Sequence, residues 1–299
     1  MPFSILGLGT VVVDHQVRLQ LLPEPDTKAE VLSDFYQIGG PVPTSLALLS
    51  RFGAETSFIG KWSTDEWGEM IELDLSRSGV STGSALVSPA VRSGFAHVWV
   101  EEETGRRSIA AYRGSHSVKS EELEGINWSA YHALHLDGWS TEAAIEAARQ
   151  MKAVGGRISV DLGSPKPDLK TLVGLVDWVN CPLRLLETLY PGEEVEKAGR
   201  RLIEMGASEV TVTNGDSGAW LIGVEGMNYQ HAFSIQAVDT NGAGDVFSGA
   251  MIYGALREWG PGRRLRFASA AAALKCCATG NRESLPTLKQ VESFLVEKS

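Results

Sequence analysis

From residue 133 onward, short apolar runs alternate with stretches of helical spacing, and that alternation limits the chain to few folds. The strand-like runs are Ala133–Leu136, Arg157–Asp161, Trp178–Asn180, Glu209–Thr213 and Ala219–Ile222. The helical runs are Glu142–Ala153, Asp168–Val176, Glu193–Met205, Gly242–Glu258, Gly262–Ala278 and Thr287–Val296. Parallel strands need a long crossover, usually a helix. The expected fold class is therefore α/β, with a central, mostly parallel sheet flanked by helices on both faces. The N-terminal part adds pieces of the same kind: a strand over Ser4–Val12, a helix over Val42–Phe52 stopped by Gly53, a strand over Thr56–Ile59, and a helix over Asp65–Ser78 closed by Gly79.

Four runs break the alternation. Val17–Leu22 and Val31–Ile38 flank a proline-containing loop, and Gly94–Val100 and Arg107–Tyr112 alternate around Glu101–Gly105 like a hairpin. They are expected to form a small β lid over the ends of the main strands. The division expected is a large nucleotide- and substrate-binding domain (1–14, 39–91 and 114–299) with the lid built from 15–38 and 92–113. No internal repeat or low-complexity linker interrupts this pattern.

A net charge of −10 without a long basic run argues against a nucleic-acid partner. No apolar run is long enough for a membrane span. Met1–Thr10 lacks a basic region and enters a strand pattern at once, so no signal peptide is expected. Cys181, Cys276 and Cys277 suggest neither a disulfide framework nor a metal site, which points to a reducing, cytoplasmic setting.

Residues 239–251, Asp-Thr-Asn-Gly-Ala-Gly-Asp-Val-Phe-Ser-Gly-Ala-Met, carry the chemistry. A strand-like run, Ser234–Val238, feeds a turn with Gly242 and Gly244, and helix-favouring sequence follows. Small residues let a ligand approach the backbone, and the N–H groups of a new helix point at the same spot. The helix dipole adds positive potential there, so the turn Gly242-Ala243-Gly244 is a candidate anion hole. A carboxylate beside it, Asp245, would repel a phosphate unless it had a task. The natural task is to take a proton from an attacking hydroxyl. The segment thus suggests phosphoryl transfer to an alcohol.

With that motif in hand, the chain resembles the ribokinase-like carbohydrate kinases, the PfkB family. Asp239–Met251 is similar to the family's second signature. Gly39-Gly40, followed by a helix ending Arg51-Phe52-Gly53-Ala54, looks like the first. Gly60–Gly68 and Ser78–Thr82 are similar to the segment that usually follows, and Thr213–Ala219 to the nucleotide-binding turn. Arg266–Pro286 resembles the last helix and adenine loop, and within the family this stretch looks closest to sulfofructose kinases. The resemblance implies ATP and Mg²⁺ as cofactors and a sugar or sugar derivative as acceptor. Asp245 would be the base, and Gly242, Ala243 and Gly244 the anion hole. Asp14 would bind sugar hydroxyls, beside Gly39, Gly40 and Thr44. Thr213, Gly215, Gly218, Ser269 and Gly280 would lie along the nucleotide. Asp239 and Thr240 begin the turn where many relatives hold a monovalent cation on backbone oxygens, which makes K⁺ a candidate ligand. An exposed lid edge would suit a homodimer.

Two departures stand out. Thr44 occupies the place of a family Asn that contacts the sugar. The family's Asn-x-x-Glu motif, which helps organise Mg²⁺ and phosphate, has no Glu: Leu183 or Leu185 stands there, depending on register from Asn180 or Pro182. Asp161, at a strand end, is a possible substitute. Lys28 and Arg113, in the expected lid, could meet an anionic group on the acceptor. Trp62, Trp67, Trp99 and Trp139 could stack on a sugar or simply pack. His132 and His135 form H-x-x-H within a strand-like run, where they would face opposite sides. Gly7-x-Gly9 lacks the third glycine of a dinucleotide fingerprint, since Val12 stands there. Gly60-Lys61 lacks a P-loop's Ser or Thr, since Trp62 follows. The reading is a kinase acting on a hydroxymethyl group. The alternatives are a nucleoside kinase, or a sensor that binds sugar and nucleotide without phosphorylating.

Overall fold

The computed structural model describes residues 2–103, 107–114 and 117–298, with the side chain of Arg107 left aside. In chain order the strands are β1 (Ser4–Leu8), β2 (Val12–Leu19), β3 (Val31–Gly39), β4 (Glu55–Ile59), β5 (Lys61–Trp62), β6 (Val80–Ser81), β7 (Leu86–Val87), β8 (Phe95–Glu101), β9 (Arg107–Tyr112), β10 (Ala133–Leu136), β11 (Arg157–Asp161), β12 (Trp178–Pro182), β13 (Glu209–Thr213), β14 (Ala219–Gly223) and β15 (Gly226–Gln230). The α-helices are α1 (Pro41–Arg51), α2 (Glu66–Arg77), α3 (Thr141–Ala153), α4 (Leu169–Val173), α5 (Leu183–Leu189), α6 (Val195–Glu204), α7 (Ala243–Leu256), α8 (Pro261–Cys276) and α9 (Leu288–Glu297).

The large sheet runs β15-β14-β13-β12-β11-β10-β1-β4-β6. Every pairing from β13 to β6 is parallel, and β14 and β15 add an antiparallel edge. Side chains alternate between the two faces, as strand geometry requires. Leu6, Leu8, Leu134, Leu136, Ile158, Val160, Val179, Val210 and Val212 share one buried cluster with residues of α3, α5 and α6. Ile5 and Ala133 join the other cluster, with residues of α1, α2, α7 and α8.

Gly7 shows why a small residue is needed on that second face. A Cβ there would come within 2.4 Å of Val42 Cγ1 and 2.7 Å of Leu46 Cδ1, so α1 packs directly on the strand backbone. This is a packing reason for a glycine that a dinucleotide motif would otherwise claim. Gly249 plays the matching part in α7: its Cβ would lie 3.0 Å from Ser45 O of α1.

A separate four-stranded sheet runs β3-β2-β8-β9, with β2 and β8 parallel and the outer pairs antiparallel. The expected turn Glu101–Gly105 between β8 and β9 falls partly on residues outside those described. Several expected boundaries move. The run Ser4–Val12 splits at Gly9–Val11, because the chain leaves one sheet there and enters the other; Val17–Leu19 becomes the end of β2. The helix expected over Asp168–Val176 is only Leu169–Val173. Ser234–Val238 forms no strand. Gln230 already ends the sheet edge, and this segment instead lies along α8, with Val238 N donating to Cys276 O at 2.7 Å. Strand β15 and helix α5 were not anticipated; α5 starts directly at Leu183, with no loop to signal it.

Candidate active site

The parallel strands all end on one side, and such an edge is where open α/β sheets bind ligands. Gly9 and Thr10 follow β1, Asp137 follows β10, Asp161 ends β11, and Thr213 ends β13. Asp137 is buried, its Oδ2 accepting from Thr10 N at 2.7 Å and its Oδ1 from Trp139 N at 2.8 Å. A Cβ on Gly9 would sit 2.7 Å from the Asp137 carboxylate, so that glycine makes room for the acid. Burial pushes the Asp137 carboxyl up, against the pull of those two N–H groups and of Lys166.

Asp161 accepts from Ser248 Oγ at 2.7 Å, which ties α7 to the sheet. Its pKa is pushed up to about 7, first by burial, then by the charge of Asp245 and to a lesser degree that of Asp137; Ser248 and Lys166 oppose the rise. Burial and the nearby Arg113 lower the pKa of Lys166, while Asp137 and Asp161 favour its charged form. Three carboxylates and two cations therefore feel one another at this crest.

Helix α7 begins here. Gly242 is its N-cap with φ +75°, a left-handed conformation suited to glycine. Asp245 lies in the first turn, and Ser45 Oγ of α1 donates to its backbone oxygen at 2.7 Å. A Cβ on Gly244 would meet nothing within 4 Å, so open space flanks the turn. N–H groups of a first turn lack intrahelical acceptors and favour an anion.

The other anticipated residues fall as follows. Asp14 is buried on β2, and a Cβ on Gly39 would overlap its carboxylate at 2.4 Å. Gly40, with φ +117°, is the N-cap of α1; a Cβ there would strike Thr10 O at 2.4 Å. Thr44 is fully buried, and its Oγ1 accepts from Arg282 Nη1 at 3.1 Å while Arg282 Nε reaches Asp74 Oδ2 at 2.9 Å. Thr44 Cγ2 would be 3.6 Å from a Cβ on Gly242, so Thr44 backs the turn with its hydroxyl already engaged.

Arg113 stacks on Trp139, 4.4 Å from the ring centroid, and Lys166 Nζ lies 5.3 Å from the same ring. Lys28 sits in the exposed loop between β2 and β3 and has no hydrogen bond, ion pair or ring contact among the described residues. Gly215 and Gly218 take φ +52° and +125° around a short 3₁₀ turn after Thr213. Ser269 is buried in α8, and Gly280 N donates to Asp239 Oδ2 at 3.1 Å.

Of the tryptophans, Trp62 is core and Trp139 borders the site. His135 is fully buried in β10, where burial lowers its pKa to about 4 and keeps it neutral; His132 lies just before the strand, its Nδ1 accepting from Ser4 N at 3.0 Å. Among the described residues no cluster of His, Cys, Asp or Glu could hold a metal alone. The turn expected to take K⁺ does not fit a bare cation: the Asp239 carbonyl oxygen already accepts from Lys275 Nζ at 3.1 Å.

A family profile described as pfkB family carbohydrate kinase matches residues 4–288. The chain belongs to this family. An uncharacterized sugar kinase of Archaeoglobus fulgidus is 30% identical over 248 residues, covering 80% of this chain and 98% of that protein. An ATP-dependent ribose-1-phosphate kinase of Halopiger xanaduensis is 27% identical, covering 98% of both. The solved ribokinase of Arabidopsis thaliana, complexed with ribose and ATP, aligns with a TM-score of 0.85 at 23% identity over 99% of each chain. At that identity the match speaks for the fold, a ribokinase-like α/β architecture. No helix among the described residues of this carbohydrate kinase is long and apolar enough to cross a membrane.

Asp137, Lys166 and Arg282 were not singled out from the sequence. Asp137 had a signal, an acid directly after a strand and before Gly138. Lys166 and Arg282 sit in loops without a pattern, and only the fold brings them in.

Proposed function

We propose that this carbohydrate kinase transfers the γ-phosphoryl group of ATP to a hydroxymethyl group of a sugar or sugar derivative, with Asp245 as base. The observation that carries this reading is the crest itself. Asp245 stands in the first turn of α7, beside the open flank of Gly244 and within electrostatic reach of Asp161.

In the proposed reaction Asp245 takes the proton of the acceptor hydroxyl. The alkoxide oxygen attacks the γ-phosphorus in line, and the bond to the β–γ bridging oxygen breaks to release ADP. The N–H groups of the Gly242–Gly244 turn hold charge developing on the phosphoryl oxygens. Asp14, held against Gly39, accepts hydrogen bonds from neighbouring sugar hydroxyls. Thr213, Gly215, Gly218, Ser269 and Gly280 line the nucleotide. Mg²⁺ would neutralise the ATP phosphates when bound. Asp161 would be a carboxylate to help hold it in place of the family's absent Glu, since Mg²⁺ needs few protein ligands. Arg113 and Lys166, both close to the Trp139 ring, favour an acceptor carrying an anionic group. The small sheet would close as a lid and exclude water. Its exposed Tyr36, Trp99 and Ile109 support pairing with a second copy, which the mass in solution would check.

The test is ADP release from Mg-ATP against ketoses, aldoses, their phosphates, sulfosugars and nucleosides, with Asp245→Asn in parallel. One sugar-class acceptor that raises ADP release, with the signal lost in the variant, is expected. Undiminished turnover in Asp245→Asn would overturn the role of the base. Silence across the panel, with thermal stabilisation by ATP or a sugar, would favour a sensor.

A further inference from the structure

Lys275 lies in the last turn of α8, and its side chain has no exposed surface. Lysine is almost never fully buried without a partner. Here the partner is one residue: Nζ is 3.1 Å from the Asp239 backbone oxygen and 3.3 Å from Asp239 Oδ2. The C-terminal end of a helix also favours a cation.

Asp239 is the junction of two loops. Its Oδ1 accepts from Asn241 N at 2.9 Å, on the turn that leads to the anion hole. Its Oδ2 accepts from Gly280 N at 3.1 Å, on the loop after α8. The next residue of that loop, Asn281, donates from Nδ2 to Ile38 O at 3.2 Å, and its Oδ1 accepts from Asn241 Nδ2 at 3.4 Å. The same Oδ1 would be 3.1 Å from a Cβ on Gly242. The Lys275 charge thus sits beneath the frame that sets the shape of the Gly242–Gly244 turn.

A backbone carbonyl and a carboxylate turned inward together need a positive charge between them and the helix end. We propose that the Lys275 ammonium is that charge, a tethered cation in the place of a free monovalent ion, which makes this kinase independent of K⁺. Lys275 is then a positioning residue: it touches no substrate and acts through Asp239 on the anion hole. The kinetic part of this inference rests on the phosphotransfer reading; the stability part does not.

The wild type comes first. Its turnover and melting temperature in KCl are expected to match those in choline chloride of equal ionic strength; a several-fold activation by K⁺ would overturn the proposal without any variant. Lys275→Ala, prepared in KCl, removes the charge and opens its space. In choline chloride its kcat should fall by about ten- to a hundredfold, since small displacements of a positioned group cost that much. Added KCl or NH₄Cl should restore kcat and raise the melting temperature with a saturable dose dependence. Lys275→Met fills the space without charge and should show no such rescue. An alanine variant that gains neither rate nor stability from K⁺ or NH₄⁺ would overturn the proposal, as would equal rescue of the methionine variant. If no acceptor is found, the melting-temperature arms still decide it.

Discussion

The two faces of the large sheet are built from the same strands yet differ in chemistry. Toward α3, α5 and α6 the strands present Leu6, Leu134, Leu136, Ile158, Val160, Val179, Val210 and Val212, all packed in one apolar cluster. Toward α1, α7 and α8 the alternate positions are mixed: Ile5, Phe58 and Ala133 pack in the other apolar cluster, whereas Gly7, Gly9, His135, Asp137, Ser159, Asp161, Asn180, Thr211 and Thr213 are small or polar. A parallel sheet buried on both sides would normally be apolar throughout. The difference teaches that one face is given wholly to packing while the other combines packing with a site. Buried acids there keep raised pKa values, and glycines replace side chains to let carboxylates and helices come close.

Substitutions on the two faces should therefore separate activity from stability. The largest effect is expected from Asp245→Asn, above the polar face: kcat lowered by about two to four orders of magnitude, with ATP still raising the melting temperature. Steady-state kinetics beside thermal shift checks this, and loss of ATP binding would show that the change had broken the turn.

Leu134→Ala, on the apolar face, should cost about 2–5 kcal/mol of stability while leaving the KM values of the surviving enzyme unchanged. Urea unfolding measures the first and kinetics the second. A large KM change would mean that the apolar face also shapes the site.

Gly7→Ala tests the close approach of α1. Its Cβ would fall 2.4 Å from Val42 Cγ1, so a cost of about 1–3 kcal/mol is expected from overpacking. Because α1 begins at the Gly39-Gly40 turn, a rise in acceptor KM should accompany it. An unchanged protein would mean that the helix yields freely.

The smallest effect is a pH-dependent one, at Asp161. Its folded pKa of about 7 lies above that of an unfolded aspartate, about 3.9, so the folded state binds the extra proton. Stability from this group is present below the unfolded value and is lost as pH rises through about 7. Asp161→Asn lacks that loss, so its melting temperature should gain on the wild type between pH 5 and pH 8 in the absence of Mg²⁺. A constant gap would show that the carboxyl ionises as easily in the folded chain as in the unfolded one.

Much of this contrast was legible before the fold was known. The strand-helix alternation after residue 133 set the layered architecture, because period and crossover length are local properties. The Gly242–Asp245 turn was legible too, since its glycines and acid act through their immediate backbone. Part of the polar face was written in the strands, where Ser-Val-Asp alternates at 159–161 and Thr-Val-Thr at 211–213. Other features had no local sign. Ser234–Val238 has strand composition but forms no strand, and its last residue bonds instead to the end of α8. Thr44 bears an ordinary hydroxyl until Arg282, 238 positions away, occupies it.

The sequence by itself determined the α/β layering, the helix N-terminus suited to an anion, and the family. Tertiary structure alone decided which charges share the site. Arg113 and Lys166 both reach the indole of Trp139, Asp161 ionises with difficulty because it is buried and Asp245 stands near, and Lys275 reaches Asp239 from 36 residues away. The physical reason is range: backbone geometry follows from neighbours along the chain, whereas electrostatics follows from neighbours in space.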